Sequence, residues 1–230
     1  MSRLIDTFRD ADIYEADALL FKSPNWLNGS CINYCFKKLE QELEDRFGIE
    51  KTENILLLDP SAVSCLRFQL FDDEYESFSN GLEIDKKKWI LSPVNNCNSL
   101  LDASSATHWS LLLVSVATGS CFHLDSCNQY NLNAATLTTD AFSILLKKKC
   151  NIIPIQLVPQ QSNGYDCGVF TILFAVYLAK QLLNESSVDD INPTNGSVIP
   201  TYLSEINSEV ALNYRNEMYK VMYNIVMNYS

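Results

Sequence analysis

Basic residues are in short supply in this chain. Seventeen lysines and arginines stand against 28 aspartates and glutamates, for a formal net charge of −11. That balance argues against nucleic acid as a partner, because phosphate binding needs an excess of cations. It favours a basic protein partner, or simply solubility. Histidine is scarcer still: His108 and His123 are the only two, and no Cys-x-x-Cys occurs among the eight cysteines. A zinc site is therefore not expected, nor any other metal or cofactor. The opening Met1-Ser2-Arg3-Leu4-Ile5-Asp6 lacks the apolar core of a signal peptide. The longest apolar run, Val169 to Ala179, is too short to span a bilayer. The expectation is a protein of the cytoplasm and/or nucleus, not attached to a membrane, with its cysteines reduced. Glycine and proline are few, seven of each, and no stretch has linker composition. Residues 1–230 are read as a single domain and as a monomer, and a hydrophobic share of 47 % is ample for a core.

What the chain does have is an abrupt join. The polar, turn-prone segment from Val158 through Gln160, Gln161, Asn163, Gly164 and Asp166 runs directly into Cys167-Gly168 and then an uncharged stretch up to Lys180. A helix apolar on every side belongs inside a globule. Asn163-Gly164 marks a turn, and Asp166 is a good N-cap for a helix starting at Cys167. A thiol placed there meets unpaired backbone N–H groups and the positive end of the helix dipole, both of which favour a thiolate. Gly168 leaves room for another backbone to approach. The plain alternative is a buried structural cysteine.

Along the chain, helices are predicted over Glu15 to Phe21, Gly29 to Phe47 (ended by Gly48), Pro60 to Leu70 and Ala134 to Lys149, the last with lysines in its final turn. Strands are predicted over Asn54 to Leu58, Lys88 to Pro93, Thr107 to Val116, Ser120 to Asp125 and Ile152 to Val158. The continuous Leu111-Leu112-Leu113-Val114 suits a central strand covered on both faces, and Thr118-Gly119 a tight hairpin. Asp72 to Asp85 reads as an acidic, aromatic surface excursion, whose Asp72 to Glu76 could dock a basic surface. Ser186 to Ser197 reads as irregular. The C-terminal helical region carries an apolar face of Val210, Tyr214, Met218, Met222 and Val226. The fold class is α+β: a central mixed sheet with one helix buried against it.

Chemistry converges on three positions. His108 opens one strand of the hairpin and Asp125 closes the next, so the two can meet by geometry alone. Cys167 at the start of the buried helix completes a Cys-His-Asp arrangement. The sulfur would be the nucleophile, the imidazole the proton carrier and the carboxylate the group that fixes the ring. A developing oxyanion would meet the backbone N–H of Cys167 and a side-chain amide of Gln160 or Gln161. His123, two residues before Asp125 and on the same face, competes for the role of base. Each residue also has an ordinary reading: a polar strand start, a turn at Asp125-Ser126, a core thiol.

The segments Thr107-His108-Trp109-Ser110-Leu111-Leu112, Phe122-His123-Leu124-Asp125-Ser126 and Gln161-Ser162-Asn163-Gly164-Tyr165-Asp166-Cys167-Gly168 together resemble the sentrin/ubiquitin-like-specific cysteine proteases. The short length and Trp26-Leu27-Asn28 resemble the deneddylase branch most. The resemblance covers about Ala11 to Leu183 and nothing beyond Ser187. It implies a papain-like fold with the triad permuted to His-Asp-Cys: His108 as base, Asp125 as orienting carboxylate, Cys167 as nucleophile. It also implies Gln161 as the oxyanion-hole glutamine, with Trp26 and Trp109 closing a tunnel over a modifier's Gly-Gly tail. The implied partner is a ubiquitin-like modifier with its conjugates, the neddylation modifier ahead of SUMO or ubiquitin. The implied reaction is cleavage after that Gly-Gly, from conjugates and from the precursor. Where the family often carries an acid after Trp-Leu-Asn, this sequence has Gly29, which bears on which tail it reads. Other readings are a deSUMOylating protease, a Cys-His-Asp acyltransferase, and a modifier-binding module without catalysis.

Overall fold

A computed structural model describes residues 2–71, 73–99, 106–184 and 199–228. Its centre is a five-stranded mixed sheet in the order β3-β4-β5-β6-β7, built from Ile55–Leu57, Trp89–Asn95, Trp109–Ser115, Ser120–Leu124 and Asn151–Pro154. The three inner strands β4, β5 and β6 run antiparallel to one another, while the edge strands β3 and β7 pair in parallel with β4 and β6. A separate antiparallel hairpin, β1 (Leu4–Phe8) and β2 (Ala11–Tyr14), precedes the sheet. The sequence reading passed over this hairpin, because its strands are short and their outer faces polar.

Both faces of the sheet are covered. Leu111, Leu113, Phe122 and Leu124 belong to a core shared with α2 (Gly29–Phe47) and α7 (Cys167–Asn184). Leu112, Val114 and Cys121 belong to a second core with α4 (Pro60–Phe68) and α6 (Leu132–Leu145). Side chains alternate across a strand, so β5 needs apolar residues at every position when each face has its own core. The shorter helices are α1 (Glu15–Leu20), α3 (Ile49–Thr52), α5 (Glu74–Gly81) and α8 (Ile199–Tyr202), and α9 (Ser208–Asn228) closes the chain.

Helix α7 is 18 residues long with a mean hydropathy of 1.5, enough by length and composition to cross a bilayer, although the uncharged run alone looked too short. Here two-thirds of it (67 %) is buried within the fold. It packs against β5, α2 and α9 as a core helix.

The acidic surface excursion is mostly exposed over its described residues 73–85 and contains α5 and a 3-10 turn at Ile84–Lys86, while Asp72 lies outside the described residues. Three local expectations need correction. Helix α6 starts and stops earlier than its pattern suggested, and Lys147 takes a left-handed φ of 51° beyond its end. The last strand stops at Pro154, so 155–166 forms the loop that delivers Cys167. The inner stripe of α9 is Ala211, Arg215 and Met222, flanked by Tyr214 and Met218, so the buried face is turned from the expected apolar one and includes a fully buried arginine. The Ser186 to Ser197 segment and the Val226 side chain lie outside what the structure describes.

Candidate active site

His108 stands one residue before β5 and Asp125 one residue after β6. The antiparallel pairing of these strands brings the two together across the hairpin. His108 Nε2 lies 2.6 Å from Asp125 Oδ1. The same oxygen accepts the backbone N–H of Cys127 at 2.8 Å, and Oδ2 accepts that of Asn131 at 2.8 Å. With Nε2 committed to the carboxylate, Nδ1 is the nitrogen left for the Cys167 thiol, whose proximity acts on the ring.

The electrostatics follow from these contacts. Burial alone would pull the His108 imidazole down, but its bond to Asp125 and the influence of the nearby Cys167 outweigh burial and push it up to about 9. Burial would likewise raise the Asp125 carboxyl. His108 and the two backbone N–H donors prevail and hold it below its ordinary range. A positively charged imidazole between a carboxylate and a sulfur is the arrangement that sustains a nucleophilic thiolate.

His123 does not compete. It too is buried, with Nδ1 at 2.7 Å from Gln129 Oε1 and Nε2 at 3.0 Å from Ser110 Oγ. Burial pushes its imidazole down, against weaker upward pulls from Asp125 and Gln129.

Cys167 is the first residue of α7 and is 3 % exposed. The two glutamines differ in how their amides are bonded. Gln160 spends its amide hydrogens on the carbonyls of Asp125 and Val158, each at 3.0 Å, and its oxygen accepts the N–H of Asn128. It braces the Asp125 turn and has no donor to offer. Gln161 is held by its oxygen, which accepts from Ser126 Oγ at 2.7 Å, and it gives one amide hydrogen to the Asn163 carbonyl at 2.6 Å. One N–H of that amide remains for an oxyanion.

The two tryptophans tie the 23–28 loop to the rest of the site. Trp109 Nε1 donates to the carbonyl of Leu27 at 3.0 Å, and Trp26 Nε1 donates to the carbonyl of Gly164 at 2.7 Å. Both line a cavity of about 610 Å³ together with Leu27, Asn28 and Gly29. Trp26 is half exposed, whereas Trp109 is buried. What approaches Gly168 is the side chain of Leu27 rather than a backbone: a Cβ at 168 would stand 3.0 Å from Leu27 Cβ. Gly168 thus lets the tryptophan loop sit on the first turn of the cysteine helix.

Some supporting residues escaped the sequence reading. Asn96 accepts the backbone N–H groups of Thr107 and His108 and so fixes the entry to β5. Asn131 ties the Asp125 carboxylate to Val94 and Ser110. No local pattern flags either asparagine, because their partners lie on other strands. Asp166 occupies the N-cap position, its carbonyl accepting the N–H of Phe170 at 2.9 Å. Its carboxylate bonds to Arg215 and Asn163 rather than to the helix.

A mixed sheet on a buried helix, with a thiol at the helix start beside an imidazole–carboxylate pair, defines a cysteine-type peptidase of papain-like architecture. The chain belongs to the Ulp1 protease family: residues 25–228 match that family's C-terminal catalytic domain. Among curated relatives, the probable sentrin-specific protease 8 of Dictyostelium discoideum is 30 % identical over 214 residues, covering 90 % of this chain and 88 % of that protein. The NEDD8-specific protease 1 of Schizosaccharomyces pombe is 29 % identical over 177 residues, 76 % of this chain and 41 % of that protein. Among solved structures, the C-terminal Ulp1 protease domain in complex with Smt3, the yeast orthologue of SUMO, superposes with a TM-score of 0.66 at 17 % identity, covering 98 % of this chain and 89 % of that one. At that identity the likeness speaks to the fold.

Proposed function

We propose that residues 1–230 act as a thiol isopeptidase and endopeptidase that cleaves after the terminal Gly-Gly of a ubiquitin-like modifier, with the neddylation modifier as its principal substrate. The observation that carries the reading is the His108–Asp125 bond of 2.6 Å beside the thiol that opens α7. The relatives named as sentrin-specific protease 8 and as NEDD8-specific proteases favour the neddylation modifier over SUMO.

The steps follow from the geometry. The modifier's last two glycines pass between Trp26 and Trp109, where any side chain would collide with an indole. The Cys167 thiolate attacks the terminal glycine carbonyl carbon, and the carbonyl π pair moves to oxygen. That oxyanion is met by the Cys167 backbone N–H and the spare Gln161 amide hydrogen. Collapse re-forms the carbonyl and breaks the C–N bond, while the His108 imidazolium gives its proton to the departing lysine amine. The thioester is then hydrolysed by a water that His108 deprotonates, which releases the modifier carboxylate and returns the sulfur. Asp125 holds the ring through both proton transfers.

The acyltransferase reading loses ground on the same cavity, whose described lining includes Asp12 and Asp59 and no lysine or arginine to take cofactor phosphates. The test is exposure of the protein to the neddylation modifier, SUMO and ubiquitin, each carrying a C-terminal electrophile. A covalent adduct forming fastest with the neddylation modifier, and lost in Cys167→Ala, is the expected result. An adduct that persists in Cys167→Ala would refute the assignment, and faster reaction of SUMO would move the substrate to the deSUMOylating alternative.

A further inference from the structure

A helix N-cap aspartate normally folds its carboxylate over the first-turn N–H groups. Immediately before Cys167 that habit is a liability. It would occupy the donors available to a thiolate and an oxyanion, and would set a negative charge next to the sulfur. In this protein Asp166 is drawn the other way. Its Oδ1 accepts from Arg215 Nε at 2.9 Å and stands 2.8 Å from Arg215 Nη2, and Oδ2 accepts from Asn163 Nδ2 at 2.7 Å. Arg215 comes from α9, and its side chain is wholly buried. Its remaining donors reach the carbonyls of Leu20, at the end of α1, and Tyr165, at 2.7 and 3.2 Å. The guanidinium also lies 5.6 Å from the centre of the Tyr165 ring.

We infer that Arg215 is a positioning residue for the nucleophile: it withholds and neutralises the Asp166 carboxylate, so that the start of α7 stays open to the Cys167 sulfur and the oxyanion. The inference rests on Cys167 as the nucleophile and extends that reading to the C-terminal helix. Arg215 touches no substrate, being buried and absent from the lining of the tryptophan cavity. The charged or titratable groups recorded around the guanidinium are Asp166 and Tyr165 on the loop and Cys31 on α2. Those recorded around the sulfur are His108 and Cys127, with Asp166 next to it in the chain.

The test is the pH dependence of iodoacetamide alkylation, resolved peptide by peptide so that Cys65 serves as an internal reference. It is run on wild type, Arg215→Ala, Arg215→Gln and Arg215→Ala/Asp166→Asn, and it needs no modifier. The uncompensated Asp166 carboxylate is expected to raise the Cys167 midpoint by about one to three pH units in both single variants. The double variant should return it towards wild type, although its melting temperature stays low. With the modifier substrate, the single variants should lose kcat at nearly constant KM. Arg215→Gln carries the test if Arg215→Ala does not fold. An unchanged Cys167 midpoint in a folded single variant, or no recovery in the double variant, would overturn the inference and leave Arg215 a fold-stabilising ion pair only. A failure of the proposed function would appear separately, as an adduct that survives Cys167→Ala.

Discussion

The two imidazoles of this protein sit on the same hairpin, one 5 % and the other 0 % exposed, and their surroundings drive them in opposite directions. His108, at the mouth of the hairpin, meets a carboxylate and a thiol and is pushed up to about 9. His123, pairing with Leu112 in the middle of the sheet, meets a hydroxyl and a carboxamide and is pushed down. The carboxamide oxygen of Gln129 can only accept, so His123 Nδ1 holds the proton and Nε2 accepts from Ser110. That leaves the Ser110 oxygen to accept from Asn131. Burial is common to both rings, and the difference comes from partners. A charged neighbour turns a buried imidazole into a proton carrier, whereas neutral neighbours turn it into a strut.

The comparison breaks most readily at His108. On the proposed assignment His108→Ala removes the proton carrier, and steady-state kinetics should show turnover falling by about 10²–10⁴. The companion substitution His123→Asn should leave kcat far less affected. Gln161→Ala comes next: loss of the proposed oxyanion donor should lower kcat by about 10²–10³, while Gln160→Ala should act through the Asp125 turn and on stability instead. His123→Asn itself should cost about 1–3 kcal/mol of folding stability in denaturant titrations, because it breaks the Ser110 and Gln129 bonds of a fully buried group.

The smallest effect is in the dependence on pH. A raised imidazole stabilises the fold fully below its ordinary range near 6.5, and that contribution fades as pH climbs through about 9. The depressed Asp125 carboxyl acts at the other end, losing its contribution as pH falls through its lowered value. Melting temperature should therefore decline as pH rises from about 6.5 to about 9 in wild type, and do so less in His108→Ala.

Much of this was legible in the sequence. The uncharged stretch after Cys167 marked the core helix, Leu111 to Val114 marked a strand with two covered faces, and the hairpin placed His108 across from Asp125. Spacing alone could not separate His108 from His123, or Gln160 from Gln161. Those distinctions rest on bonds to Asp125, Gln129, Ser126 and Asn163 that form only once loops close on the sheet. Arg215 was harder still. It lies 49 positions from Asp166, beside the stripe that the periodicity marks as apolar, and a buried ion pair leaves no periodic signature. Helix α5 was hidden by its acidic composition, since a short helix on the surface needs little apolar patterning.

With only two histidines in the chain, the central contrast can be read directly from their ring nitrogens by NMR as pH is raised. One imidazole, absent in His108→Ala, should stay protonated until pH nears 9, and the other, absent in His123→Asn, should lose its proton below the ordinary histidine range. Two rings titrating together near 6.5, or a high-titrating signal that vanishes with His123 instead of His108, would contradict it.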